Sequence, residues 1–204
     1  MPKKPITKEV IQQVRAFHGH MCPGLAMGIR AAEVALREIG PHSQDEEVVA
    51  VVETDMCGVD AIQFLTGCTF GKGNLIHLDY GKSAFTFYRR SDGKALRLVA
   101  RPEGAGRPDP EWQRLREKWG KEALAPEEQE RFKVLHEARC RQILATPLEH
   151  LFEAKEPQGK MPQPARIMDS LPCEECGELT METRIRRFRG RMLCIPCFAR
   201  LEQR

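Results

Sequence analysis

Two Cys-x-x-Cys pairs near the C-terminus constrain this chain more than any other feature. Cys173-Glu174-Glu175-Cys176 and Cys194-Ile195-Pro196-Cys197 stand seventeen residues apart, Gly177 to Leu193 intervening. Zinc takes four thiolates tetrahedrally, and two such knuckles supply them from opposite sides of one ion. Gly177, directly after the first knuckle, lets the backbone turn tightly around the metal. With four protein ligands the site has no open position, so its expected role is structural. A segment of about forty residues buries too little apolar surface to fold unaided, so the metal is expected to supply its folding energy.

The chain has 204 residues, 41% of them hydrophobic and 30% charged, which is globular composition. A formal net charge of +3 is too small to imply nucleic acid by itself. No run approaches the roughly 18 apolar residues of a membrane span. The basic start, Met1-Pro2-Lys3-Lys4-Pro5, is followed by no apolar stretch of a secretory signal. A soluble, cytoplasmic protein without membrane contact is expected. In a reducing compartment its eight cysteines point to metal or catalysis rather than disulfides. Cys140, in a charged helical stretch, reads as an inert, partly buried thiol.

Val10, Ile11, Val14 and Phe17 recur at helical spacing after Thr7, a suitable N-cap. The chain then reaches His18-Gly19-His20-Met21-Cys22-Pro23-Gly24. Pro23 suits the first turn of a second helix with Leu25, Ile29, Ala32, Leu36 and Ile39 on its apolar side, stopped by Gly40-Pro41. Val48 to Val52 is an all-apolar run, as in a strand buried on both faces. Val59, Ile62 and Leu65 predict a short helix. Strands are expected at 74–80, 84–90 and 95–101, the last two joined by the hairpin signal Ser91-Asp92-Gly93-Lys94. The expected class is α+β, with a mixed sheet containing one crossover and one hairpin. Residues 110–145 read as a polar helical extension of a domain spanning 1–156. Residues 157–165 read as a proline-rich linker, and 166–204 as the cysteine module.

The first third carries the other chemistry. His18, His20 and Cys22 fall within five positions at a helix junction, a density of imidazole and thiol that suggests a site. Cys22 immediately precedes a helix, whose dipole would favour its thiolate. Cys57 follows a buried strand, where open α/β arrangements bind ligands. Asp60 and Gln63 project from the next helix, and the Cys68-to-Asn74 loop could bring backbone amides near an anion.

His18-Gly19-His20-x-Cys22-Pro23-Gly24, the Cys57-to-Gln63 run and the Gly67-to-Asn74 run resemble the three signature blocks of the FmdE family, over roughly residues 6–152. That family takes its name from formylmethanofuran dehydrogenase. The resemblance implies an α-β-α-β-β-β domain with its helices on one side of a mixed sheet. It also implies a homodimer, a metal-binding cleft and association with a molybdenum or tungsten enzyme. It carries His18, Cys22 and Cys57 over as reactive residues and as ligands of a second metal, zinc best of all. His20, Asp60, Gln63 and Cys68 become residues lining that cleft. The C-terminal knuckles resemble DksA/TraR-type zinc fingers, whose association is with RNA polymerase rather than with direct base reading. The finger's arginines, Arg184, Arg186, Arg187, Arg189 and Arg191, read mainly as a solvated face, so direct nucleic-acid binding is not expected. A metal-binding protein of this family is the leading reading. A thiol-redox protein and an adaptor docking through its finger are the alternatives.

Overall fold

A computed structural model describes residues 6–203, so the basic Met1–Pro5 start lies outside the described residues. Contacts divide the chain into two compact units, with the boundary after Pro164. In the larger unit, α1 (Lys8–His18), α2 (Pro23–Glu38), β1 (Val48–Val52) and α3 (Gly58–Thr66) lead into β2 (Leu75–His77), β3 (Ala84–Arg89) and β4 (Ala95–Ala100). There follow α4 (Pro110–Trp119), α5 (Pro126–Ala145), the one-turn α6 (Leu148–Leu151) and β5 (Phe152–Lys155). The smaller unit holds β6 (Ser170–Pro172), β7 (Leu179–Met181), β8 (Ile185–Phe188), β9 (Arg191–Cys194) and α7 (Ile195–Glu202). Among the described residues no helix is long and apolar enough to cross a membrane.

The five strands of the larger unit form one mixed sheet in the order β2-β1-β3-β4-β5, only β1 and β2 pairing in parallel. All five β1 residues are buried, as their unbroken apolar run requires. One face of the sheet, through Ala50, Val52, Phe85, Phe87 and Leu98, packs on the helices in the main core. The other face presents Val49, Val51 and Tyr88, against which Met161 packs. Part of the expected linker therefore lies on the sheet, and the Arg90 guanidinium donates to the Pro162 carbonyl at 2.8 Å. β5, which the sequence pattern does not announce, pairs antiparallel with β4 and closes the sheet beyond the hairpin. The polar extension has a small core of its own around Trp112, Leu115, Leu124 and Leu135. It joins the main core through Ile143, and Arg30 of α2 donates to the Thr146 carbonyl at 2.8 Å.

The tightest contact in the unit is between α2 and α3. A Cβ built on Gly28 would lie 2.2 Å from the Gly58 carbonyl oxygen, and one built on Gly58 would lie 3.0 Å from the Gly24 oxygen. Two helices can approach this closely only where neither carries a side chain. Glu53, just past β1, is buried and takes a two-pronged ion pair from Arg97 on β4, at 2.7 and 2.9 Å. The guanidinium holds the Glu53 carboxyl below the usual carboxylate range.

Two outcomes are expected. Gly28→Ala should cost about 3 kcal/mol in urea unfolding, because the clash is with backbone. Gly71→Ala, where the added Cβ meets nothing within 4 Å, should change stability by less than about 0.5 kcal/mol. The Glu53 ion pair contributes fully above the ordinary carboxylate pKa of about 4.3, and that contribution is lost as pH falls through the lowered folded-state value. Stability measured from pH 7 down to pH 3 should therefore fall less steeply in Arg97→Gln than in the parent.

Candidate metal centres

The C-terminal unit contains four ligand atoms, the Sγ of Cys173, Cys176, Cys194 and Cys197, all within 4.8 Å of one another. Thiolates about 2.3 Å from a tetrahedral zinc would stand about 3.8 Å apart, and Cys176 and Cys194 are at 4.0 Å. The first knuckle lies in the turn between β6 and β7. There Gly177, at φ +76°, allows its N–H to bond the Cys173 carbonyl at 2.8 Å. The second knuckle caps and opens α7. The Cys176 and Cys194 amides hold Cys173 down at about 6. Cys197, crowded first by the Cys194 thiol, is pushed up to about 12. Four thiols so close cannot all ionise without a cation among them, and a divalent metal resolves that conflict. The unit's buried cluster is Leu193 and three of the four cysteines, with Phe188 and Phe198 edge to face beside it at 5.6 Å. A core made mainly of its own ligands fits a structural zinc.

The larger unit gathers a second set. Ligand atoms of His18, His20, Cys22 and Cys57 also lie within 4.8 Å of one another. His18 is the last residue of α1, and Gly19 in the left-handed region (φ +95°) turns the chain back so that His20 meets His18, ring centroids 4.5 Å apart. Cys22 is the N-cap of α2, its Sγ accepting from the Leu25 N–H at 3.3 Å. Cys57 precedes α3. Gly24 faces it so closely that an added Cβ would stand 3.4 Å from the Cys57 Cβ. The close approach of α2 and α3 is thus what sets the two thiols side by side. One turn into α3, Asp60 bonds His18 Nδ1 at 2.6 Å. The opposite nitrogen, Nε2, is buried with no hydrogen-bond partner. An imidazole oriented by a carboxylate, with its other nitrogen free, has the arrangement of a metal ligand. His20 is exposed and lines a cavity of about 500 Å³ with His136 and Cys140.

Two expectations about the thiols are corrected. Burial pushes the Cys22 thiol up, outweighing the Leu25 amide, so the helix N-terminus alone does not make a thiolate. Cys57 makes no side-chain cap bond to α3. The structure also does not bring Gln63 and Cys68 to the cluster. Gln63 accepts from the Phe70 N–H at 3.3 Å. Cys68 is fully buried, its Sγ 3.4 Å from the Val48 carbonyl and its thiol pushed up by burial. The Gly67-to-Asn74 block serves as a clamp. Buried Asn74 accepts from the Thr69 N–H and donates to the Val48 carbonyl, both at 2.9 Å, and Lys72 donates to the Ser43 carbonyl at 2.9 Å. Cys140 is buried and pushed up to about 12, an inert thiol as expected.

An α+β domain with a convergent imidazole and thiol cluster, followed by a four-cysteine finger, defines a metal-binding protein. The pattern of FmdE, described as "Molybdenum formylmethanofuran dehydrogenase operon", matches residues 17–153, and the chain belongs to that family. Residues 166–203 match the prokaryotic dksA/traR C4-type zinc finger. A curated relative from Archaeoglobus fulgidus, called a probable S-adenosyl-L-methionine-binding protein, is 31% identical over 96% of this chain. The chain spans about half of that relative, 54% of its length. The crystal structure of an FmdE-like protein of tungsten formylmethanofuran dehydrogenase, from Syntrophus aciditrophicus, has the same fold. Its TM-score is 0.59 at 24% identity, with 97% of this chain and 94% of that one covered.

Chelation should separate the two units. Removing zinc from the finger should confine new proteolytic cleavage to residues 165–203 and leave the far-ultraviolet circular dichroism of the larger unit in place. Cys176→Ser should show the same local cleavage before any chelator is added.

Proposed function

We propose that this FmdE-family protein binds a second metal ion, zinc by preference, in its α+β domain. In this reading His18, Cys22 and Cys57 are the fixed ligands and His20 is the exchangeable fourth. The observation that carries it is the buried, unpartnered Nε2 of His18, oriented by Asp60 into a group of four donors. Two imidazoles and two thiols suit zinc's preference for nitrogen and sulfur. A divalent ion held there would lend Lewis acidity to a water or substrate oxygen taking the His20 position.

The chain's own residues prepare the rest. Asp60 fixes the His18 tautomer with the proton on Nδ1, so Nε2 presents its lone pair. Cys22 is the most buried of the four, while His20 opens on the cavity with His136, the side from which a small molecule would enter. A dithiol reading has one specific observation in its favour. Cys22 and Cys57 are close enough to share a hydrogen bond.

Metal content per chain separates the readings. Protein purified without chelator, or reconstituted anaerobically, should hold near two zinc ions, falling to one in Cys57→Ala and His18→Ala. Asp60→Asn should keep the second ion but bind it roughly 10- to 100-fold more weakly. A parent protein that never exceeds one ion, with Cys22 and Cys57 freely alkylated before chelation, would leave the dithiol reading standing instead.

A further inference from the structure

A second cavity of the larger unit, about 410 Å³, has a composition the metal cluster does not explain. Its walls include three arginines, Arg101, Arg116 and Arg139, and not one aspartate or glutamate. The remainder is apolar or small, with Trp112, Phe85 and Met27 supplying the broad surfaces. Ligand pockets of this size are ordinarily apolar with a few polar groups placed to orient the guest. Here every charged group placed there is a cation.

None of the three arginines has a carboxylate partner among the described residues. This is unusual on a surface where Arg131 is paired with Glu111 at 2.7 Å and Lys118 with Glu128 at 2.7 Å. The helical spacing explains it. Arg116 has only Gln113, Trp119, Trp112 and Gly120 three or four positions away, and Arg139 only His136, Gln142, Leu135 and Ile143. Arg139 is half-buried, and burial disfavours its charge. Its bonds to the Ala105 and Gly106 carbonyls and to Gln142 all run from Nη1, which leaves Nε and Nη2 for a guest. The Arg116 guanidinium lies over the Trp112 ring at 5.5 Å and makes no hydrogen bond within the described residues. Pro23 and Gly24, which open α2, and Gly58, which opens α3, line the same cavity, so two helix N-termini add positive potential.

We propose that this cavity binds an amphiphilic anion, a carboxylate or phosphate ester on a flat apolar body. The anionic group is held by Arg116 and Arg139, and the apolar body lies against Trp112. Guanidinium groups match both oxyanions with paired hydrogen bonds, and removal from water strengthens those bonds. None of His18, His20, Cys22 and Cys57 lines this cavity, so an anion could bind here whether or not the second metal is held. Zinc content measured on the same preparation reads that proposal separately.

Calorimetric titration of the full chain, zinc supplied, with naphthoate, naphthyl phosphate and neutral naphthalenemethanol tests it. The better anion should bind at least about 10-fold more tightly than the alcohol, a margin one charge-assisted contact supplies. Which anion binds better distinguishes a carboxylate guest from a phosphate guest. Arg116→Gln and Arg139→Gln should each weaken the anion by about 10-fold or more while leaving the alcohol unchanged. Arg114→Gln, whose partner is Glu128 at 3.8 Å, should leave both unchanged. Arg139 also braces the loop at Ala105, so a poorly folded Arg139 variant leaves the decision to Arg116, which braces nothing. Equal affinity for anion and alcohol, no detectable binding of either anion, or an Arg116→Gln protein that binds the anion as the parent does would each overturn the assignment.

Discussion

Two helices meet backbone to backbone at Gly28 and Gly58, and the arrangement of the larger unit follows from that contact. A side chain at either position would push α3 off α2, since the nearest atoms belong to the opposite main chain and cannot rotate away. Both helices begin close to the crossing, so their first residues are held together as tightly as the glycines are. Cys22 caps one and Cys57 precedes the other. Gly24, one turn before Gly28, is the reason nothing stands between them. Asp60 is carried by the same α3 backbone to His18 at the end of α1. Four donors contributed from three separate segments therefore converge because the helices that carry them do.

Much of this arrangement could be read from sequence, because it depends on local patterns. The helix periodicities, the Thr7 cap, the all-apolar β1 run and the Asp92-Gly93 hairpin each have a short-range cause, and each appears in the structure. The four-cysteine module was legible for the same reason, since ligand spacing alone closes it around an ion. What escaped depends on tertiary partners. β5 comprises only Phe152 to Lys155, alternates weakly and becomes a strand because β4 offers it an edge. The Gly67-to-Asn74 block looked like part of a cleft because its glycines, lysine and cysteine are chemically suggestive. Only the fold reveals that Asn74 and Lys72 direct their donors to the backbone of the Ser43-to-Val48 approach to β1. Helix starts before Cys22 and Cys57 suggested thiolates, but position in sequence does not report desolvation, and burial at Cys22 wins.

The two donor clusters solve the same chemical problem with different support. In the finger, the ligands themselves are the core: three of its four cysteines are buried around Leu193, and little else is. Metal and fold are then one equilibrium, and losing the ion means losing the unit. In the α+β domain, a core built from α1, α2, α3 and the sheet stands beneath the donors, so their positions are fixed before any ion arrives. The consequence of that preorganisation is visible at His18, where a buried nitrogen lacks a partner. A fold retains such an atom only where something else offsets the lost hydrogen bond, and three further metal-binding side chains are the groups nearest to doing so.

Charge placement follows the same logic. Around the sheet and the polar helices, arginines are matched: Arg97 with Glu53, Arg90 with Glu46, Arg131 with Glu111. Where α4, α5 and the Arg101 loop enclose the second cavity, the matching stops, and three guanidiniums stand among apolar walls and two helix N-termini. An unmatched cation at an open surface would mean little, since water screens it. Inside a concavity lined by Trp112 and Phe85, water is displaced, and repulsion among like charges is felt more strongly. Arg139 bears that strain, its charge disfavoured by burial. An anion of the right shape removes the repulsion and regains the lost solvation together, which is why the missing carboxylates, more than the arginines themselves, mark this cavity as a binding site.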